Sequence, residues 1–280
     1  MIAAVLVPVA LVAVVGVVAV RTAVPTRNYY VAVGASQTLG YQPTPWGSQR
    51  PTDRGYANDL TAMERTRWAR LHLVKFACPG IRLDLALHGG GRCRRPEGSE
   101  VATAAAFVRA HPGQVVLVTL DLGYPDVESC MDEGRVDSAC VAGALALVRT
   151  DLPKVVSRLR AAGGSTLTIV GLDHFDPFLS DYVASPAPRP AFAEASARVV
   201  ERLNRALTAA LGKVGVPVAH VAATFATGTT TPVQMGAAAM VPREVEAICT
   251  YTWKCIDQNP HPNDRGYRRI ASAVAAIVNS

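Results

Sequence analysis

Tyr30-Val31-Ala32-Val33-Gly34-Ala35-Ser36 is the stretch from which the fold can be read. Four apolar residues, two of them β-branched, read as a buried strand. Gly34 ends the strand, and Ser36 stands in the turn that leads onward. The next segment, Tyr56–Arg67, carries apolar residues at helical spacing, and Leu71–Phe76 is again strand-like. The same alternation continues to the end of the chain. Further strands are predicted at Val115–Asp121, Thr166–Leu172 and Val216–Val221, and helices at Ser99–His111, Cys140–Ala162, Phe192–Val214 and Asp264–Val278. Strands alternating with helices require right-handed crossovers, so the expected class is α/β with a five-stranded parallel sheet. There is no internal repeat. The Pro- and Gly-rich segments Gln42–Pro51, Gly89–Gly98, Ala184–Pro190 and Ala226–Gly236 read as loops within one domain. Strand order does not follow from these patterns.

At the far end, His261-Pro262-Asn263-Asp264-Arg265-Gly266-Tyr267 precedes the last helical pattern. A serine at a strand-to-helix turn and a histidine in a late loop are a candidate nucleophile and base. They meet only if the first and last loops lie on one edge of the sheet, as they do in open α/β folds. Asn263 or Asp264 is suited to cap the final helix.

The N-terminus has a different composition. Residues 1–20 are uncharged and mostly Val and Ala, and Arg21 follows. This is long enough to span a bilayer, which takes about 20 residues. No basic residue precedes it, as one would in a typical signal peptide. We divide the chain into a signal peptide or membrane anchor at 1–22 and a domain at 28–280; Val17-Val18-Ala19 is a weak cleavage match. The six cysteines (Cys78, Cys93, Cys130, Cys140, Cys249 and Cys255) match no paired zinc-ligand spacing. An even number in neighbouring pairs suggests three disulfides, although six cysteines allow fifteen connectivities. Bridges need an oxidising compartment. The expected location is therefore secreted or at the cell envelope, with membrane association through the N-terminal segment. The formal charge of +6 is spread out, apart from Arg92, Arg94 and Arg95. Aromatics are few and no nucleic-acid motif is present. The charge reads as solubility or attraction to an anionic envelope surface, not as a nucleic-acid footprint.

Four blocks together resemble the SGNH (GDSL-type) hydrolases. Gly34-Ala35-Ser36-Gln37-Thr38-Leu39-Gly40 resembles that family's Gly-Asp-Ser-x-x-x-Gly, with Ala35 in place of Asp. Ala77-Cys78-Pro79-Gly80 supplies the glycine expected after strand two. Gly123-Tyr124-Pro125-Asp126 stands where the family has Gly-x-Asn-Asp. Asp257-Gln258-Asn259-Pro260-His261-Pro262 stands where it has Asp-x-x-His-Pro. The resemblance implies a three-layer, flavodoxin-like α/β/α sandwich and hydrolysis of carboxylic esters, small or lipid, through an acyl-enzyme. It makes Ser36 the nucleophile and His261 the base, with the Ser36 and Gly80 N–H groups as oxyanion donors. It implies no metal and no cofactor.

The chemistry needs these residue types. A serine hydroxyl is a weak nucleophile unless a base takes its proton. Histidine can take that proton and return it to the leaving group. The oxyanion of the intermediate needs donors already in place. Two departures bear on this. Pro125 replaces the family's oxyanion asparagine and offers neither an amide side chain nor a backbone N–H. The family's aspartate position, three residues before the histidine, holds Gln258. Asp257, Asn259 or a backbone carbonyl remain as candidates to orient His261, and Asp257 is the acid among them. A fold of this kind that binds an acylated lipid or glycan without turnover is the alternative reading. Asp173, His174 and Asp176 after strand four are a weaker candidate group, as a metal cluster or as pocket lining. His72 reads as a core or edge histidine within strand two. His88, His111 and His220 carry no pattern.

Overall fold

The computed structural model describes residues 28–132, 134–236 and 239–280. The hydrophobic segment at 1–22 lies outside them. Five parallel strands form the central sheet: β1 (Asn28–Gly34), β2 (Leu71–Ala77), β3 (Val115–Asp121), β4 (Ile169–Leu172) and β5 (Val218–Ala219). Their order is β2-β1-β3-β4-β5. The order reverses after β1, so the first and third strands bound the crevice where ligands bind in such sheets. Register makes this concrete. Gly34 pairs with Ala77 on one side and with Asp121 on the other. The loops after β1, β2 and β3 therefore leave the sheet at one level.

Both faces of the sheet are covered, which is why β1 reads as a continuous apolar run rather than an alternating one. Val31 and Val33 enter one core with residues of α2 (Leu83–His88), α3 (Glu100–Ala110), α5 (Ser138–Gly163) and α6 (Pro190–Gly212). Tyr30 and Ala32 enter the other with residues of α1 (Tyr56–Met63), α8 (Arg243–Tyr251) and α10 (Asp264–Val278). The result is the expected three-layer α/β/α sandwich. The predicted strands and long helices fall close to their observed bounds. Strands four and five are shorter than predicted: Thr168 and Pro217 still accept hydrogen bonds from the Val118 and Gly171 N–H groups, each at 2.9 Å, but Thr166, Leu167 and Val216 stand outside the sheet and Val221 already belongs to the following helix.

Several short elements have no period long enough to be predicted. They are α2, α4 (Tyr124–Glu128), α7 (Val221–Thr224), α8 and α9 (Lys254–Asp257), together with two-residue ladders such as Gln42–Pro43 with Gln49–Arg50. Among the described residues, no helix is long and apolar enough to cross a membrane. The cysteines pair with their chain neighbours: Cys78–Cys93, Cys130–Cys140 and Cys249–Cys255. Each bridge clips a loop at or near the crevice.

Candidate active site

Ser36 sits in the turn that follows β1. That turn is tight: a Cβ on Gly34 would lie 2.2 Å from Thr38 Oγ1 and 2.6 Å from the Asp121 carbonyl. Only glycine leaves room for that close approach. Asp121, at the end of β3, holds the turn from beneath. Its Oδ2 accepts a 2.9 Å hydrogen bond from Thr38 Oγ1, and its Oδ1 accepts one of 3.3 Å from Gln37 Nε2. Burial raises the Asp121 pKa, opposed chiefly by His174, whose Nδ1 lies 3.8 Å from Oδ1. The sequence offered a signal for this residue, an acid at the end of an otherwise apolar strand, but its partners come from another loop.

His261 lies across the crevice and is 8 % exposed. Its Nε2 is 2.8 Å from Ser36 Oγ. Its Nδ1 is 2.8 Å from Asn259 Oδ1, and the same oxygen accepts the His261 backbone N–H at 3.0 Å. The backbone N–H can only donate, which identifies that atom as the amide oxygen, itself only an acceptor, and Asn259 Nδ2 donates to Gln49 Oε1 at 3.2 Å. The imidazole proton therefore sits on Nδ1, and the Nε2 lone pair faces the serine hydroxyl. Tyr41 lies beside the ring at a centroid distance of 5.6 Å.

Asp257 does not take the orienting position. It is exposed at the end of α9, and Gln258 then turns the backbone into the left-handed region, with φ +55°. The polar side chain that emerges beneath the imidazole is that of Asn259. Burial alone depresses the His261 pKa to about 4. A neutral amide holds the ring without the countercharge a carboxylate would add.

Gly80 lines the same crevice and adopts φ +65°. Neither its N–H nor that of Ser36 donates a hydrogen bond within the described chain, so both are available to a ligand. Asp126, the last residue of the third block, caps α2 by accepting the Leu83 N–H at 3.0 Å and 3.2 Å. This ties the third block to the helix that follows Gly80. Burial raises the Asp126 pKa to about 6. Pro125 lines the crevice at the start of α4.

Asp173, His174 and Asp176 do not converge. Asp173 caps α7 through the Ala222 N–H at 2.7 Å, and its other oxygen faces His220 Nδ1 at 3.3 Å. Asp176 accepts from the Phe178 N–H at 2.9 Å and from Ser196 Oγ at 2.6 Å. Only His174 enters the crevice, and its Nε2 pairs with the Leu122 carbonyl at 3.2 Å. His72 is exposed on β2, the edge strand. The crevice has about 530 Å³ of empty volume, its open mouth included. Ser36, His261, Gly80, Tyr124, Glu128 and His174 line it.

No protein-family profile and no curated protein sequence matches this chain. Solved structures do. A lipase from a goat rumen metagenome superposes with a TM-score of 0.55 at 16% identity, covering 89% of this chain and 96% of that one. An extracellular lipase from Streptomyces rimosus gives 0.55 at 16% identity, covering 89% and 99%. An acetylxylan esterase from Geobacillus stearothermophilus gives 0.54 at 13% identity, covering 90% and 94%. At such identity the likeness is one of architecture, and it runs over nearly the whole length of each neighbour. The chain has the fold of the SGNH (GDSL-type) hydrolases.

Proposed function

We propose that this protein is an exported serine hydrolase of carboxylic esters. The observation that carries the reading is the line of contacts Ser36 Oγ–His261 Nε2 and His261 Nδ1–Asn259 Oδ1, each 2.8 Å. In this reading Ser36 attacks the ester carbonyl while Nε2 takes its proton. The Ser36 and Gly80 N–H groups receive the oxyanion. Nε2 then gives the proton to the departing alcohol, and water, activated in the same way, releases the acid. Asn259 takes the orienting role first considered for Asp257, and it keeps the base in the useful tautomer. The lipase and esterase neighbours support ester chemistry on this fold. The three disulfides support export. The role of the segment at 1–22, as signal peptide or anchor, is part of this proposal.

A fluorophosphonate probe and a p-nitrophenyl acetate assay test it. We expect an adduct on Ser36, turnover of the acetate ester, and loss of both in Ser36→Ala. The fall in kcat expected for a lost nucleophile is about 10⁴-fold or more. A folded protein that takes no label and turns over no ester would point to the second reading, a binding module for acylated ligands. Pro125, in the place of the family's oxyanion asparagine, is the residue that favours that reading.

A further inference from the structure

The segment Arg92–Arg95 stands out in the sequence for its charge, and the chemistry assigned above makes no use of it. In the fold it is tied, in reverse order, to the loop that ends in Gly80. Arg92 Nη2 donates to the Pro79 carbonyl, Cys93 is bridged to Cys78, and Arg95 Nη2 donates to the Ala77 carbonyl. Arg95 is itself anchored by the buried Glu100, with Nε 3.0 Å from Oε1. Arg92 lies close enough to Gly80 that a Cβ there would stand 3.5 Å from Nη2.

The peptide units of this loop differ in how they are held. In a trans unit the C=O and the N–H point in opposite directions. These units are trans, since the cis bond among the described residues is Ser185–Pro186. The Ala77–Cys78 unit is fixed at both ends: its carbonyl takes Arg95, and its N–H donates to the Gly34 carbonyl at 3.1 Å. The Cys78 carbonyl accepts the Ile81 N–H at 3.1 Å, and Pro79 has no N–H to place. The Pro79–Gly80 unit is fixed at one end only. Arg92 takes its carbonyl, and the Gly80 N–H donates to nothing among the described residues. Gly80 lines the crevice, whereas Pro79 and Arg92 do not. An oxygen turned outward to Arg92 leaves the N–H of the same unit turned the other way. The guanidinium also draws charge from that carbonyl, which makes the amide N–H a stronger donor.

We infer that Arg92 is a positioning residue for the oxyanion hole: by holding the Pro79 carbonyl from outside, it aims the Gly80 N–H into the crevice and strengthens it as a donor. This rests on the reading of Ser36 as nucleophile and Gly80 as oxyanion donor. A cation in this place never touches the substrate. Its effect grows only as charge develops on the substrate oxygen, so it belongs in kcat and not in ground-state binding.

The test is p-nitrophenyl acetate turnover by the full-length protein and by Arg92→Met, Arg92→Lys and Arg95→Met. Arg92 is exposed, so Arg92→Met should keep its melting temperature within about 2 °C of wild type. Its kcat should fall about tenfold, a fraction of the 10²–10³ that a whole donor supplies, with KM little changed. Arg92→Lys restores a charged donor and should recover part of the loss. Arg95→Met is the contrast. The unit that Arg95 holds has already spent its N–H on Gly34, and its guanidinium covers a buried carboxylate, so this variant should lose more stability and less kcat than Arg92→Met. The Gly80 amide proton gives a direct readout: it should move downfield when a fluorophosphonate forms its adduct on Ser36, and move less in Arg92→Met. An active enzyme whose kcat and Gly80 resonance ignore Arg92→Met would overturn the inference and leave the hydrolase reading standing. A fall in kcat that Arg92→Lys does not recover, with a loss of stability as large as that of Arg95→Met, would overturn it too. A wild type that takes neither label nor ester would defeat the hydrolase reading and this inference together.

Discussion

The loop carrying Ser36 grows out of the middle of the sheet, whereas the loop carrying His261 is assembled from short pieces at its margin. On the serine side, every residue from Tyr30 to Ala35 is buried, β1 is paired on both edges, and Asp121 anchors the turn. On the histidine side, the four-residue strand Asn259–Pro262 pairs with only Thr252–Trp253. The Cys249–Cys255 bridge and the Asn263 side chain, bonded to the Thr250 carbonyl at 2.9 Å, supply much of the rest. Two hooks bring the sides together: Gln42 Nε2 donates to Asp264 Oδ1 at 2.7 Å, and Tyr267 Oη donates to the Tyr41 carbonyl at 2.8 Å. The nucleophile is thus placed by the backbone of the core, and the base by side chains. Damage to the first side should unfold or misplace the site. Damage to the second should spare the fold and impair the chemistry.

The largest effect is expected from Gly34→Ala. The new methyl group meets a backbone carbonyl at 2.6 Å, which cannot move without shifting β3. A loss of about 3 kcal/mol or more is expected, at the upper end for strained and overpacked sites. Urea denaturation measures it, and fluorophosphonate labelling of Ser36 should fall with it. A variant as stable as wild type would show that the serine turn is far more plastic than its packing indicates.

Asn259→Ala should behave in the opposite way. Asn259 is a half-buried loop residue, and Gln49 beyond it is exposed, so stability should change by about 1 kcal/mol or less. The imidazole would lose the contact that fixes its tautomer. The expected fall in kcat is about 10²-fold, with KM little changed, within the range that a positioned base contributes. Rescue by Asn259→Asp but not by Asn259→Leu would separate orientation from packing. Equal losses in stability and in activity would erase the contrast between the two sides.

Asn259→Asp also carries a pH test. Only neutral His261 can act as base, so activity is present above its pKa and lost as pH falls through it. With burial holding that pKa at about 4, the acid limb of kcat/KM should lie near that value. A carboxylate at position 259 would stabilise the imidazolium and move the limb to higher pH. The same depression has a consequence for stability. The folded pKa lies below the ordinary 6.5, so the unfolded chain binds the proton more readily. This group therefore contributes stability that is full above pH 6.5 and is lost as pH falls through about 4. The loss amounts to about 3 kcal/mol, and it should be absent in His261→Gln. Acid denaturation curves of the two proteins check it.

The contrast between the two sides also separates what the sequence makes legible from what it does not. Strand runs and the Gly34–Ser36 turn are local patterns, so the parallel sheet and the position of Ser36 could be read directly, whereas the three layers came from the resemblance of the four blocks to a known family. The neighbour pairing of the cysteines was suggested by their spacing and not fixed by it, since six cysteines allow fifteen connectivities. The orienter of His261 could not be read, because it depends on a left-handed residue at Gln258 that changes which side chain faces the ring. Spacing alone leaves Asp257 and Asn259 both within reach. The roles of Asp121 and Asp126 were hidden for a related reason: their partners, Thr38 and Leu83, come from other loops. Strand order was hidden as well, since alternation of strands and helices is the same for any parallel arrangement.

The smallest expected effect belongs to Pro125, and it tells which side limits the rate. Pro125→Asn offers the oxyanion a side-chain amide where the family has one. A well-placed donor is worth about 10²–10³ in kcat. Here Gly123, at φ +105°, precedes α4 and is followed by Tyr124 and Pro125, a backbone already settled around proline, so the amide arrives imperfectly placed. An error of about an ångström forfeits most of such an effect. We expect a gain in kcat of less than about tenfold, with KM nearly constant, because the bond strengthens only as charge develops on the substrate oxygen. Pro125→Ala is the control, since it removes the ring without adding the amide. A gain shared by both variants would assign the effect to backbone relief. A gain in Pro125→Asn alone that exceeds that of Asn259→Asp would mean that oxyanion stabilisation limits turnover. The reverse order would place the limit at His261, the side of the site held by side chains, where a neutral partner leaves the developing imidazolium with little support.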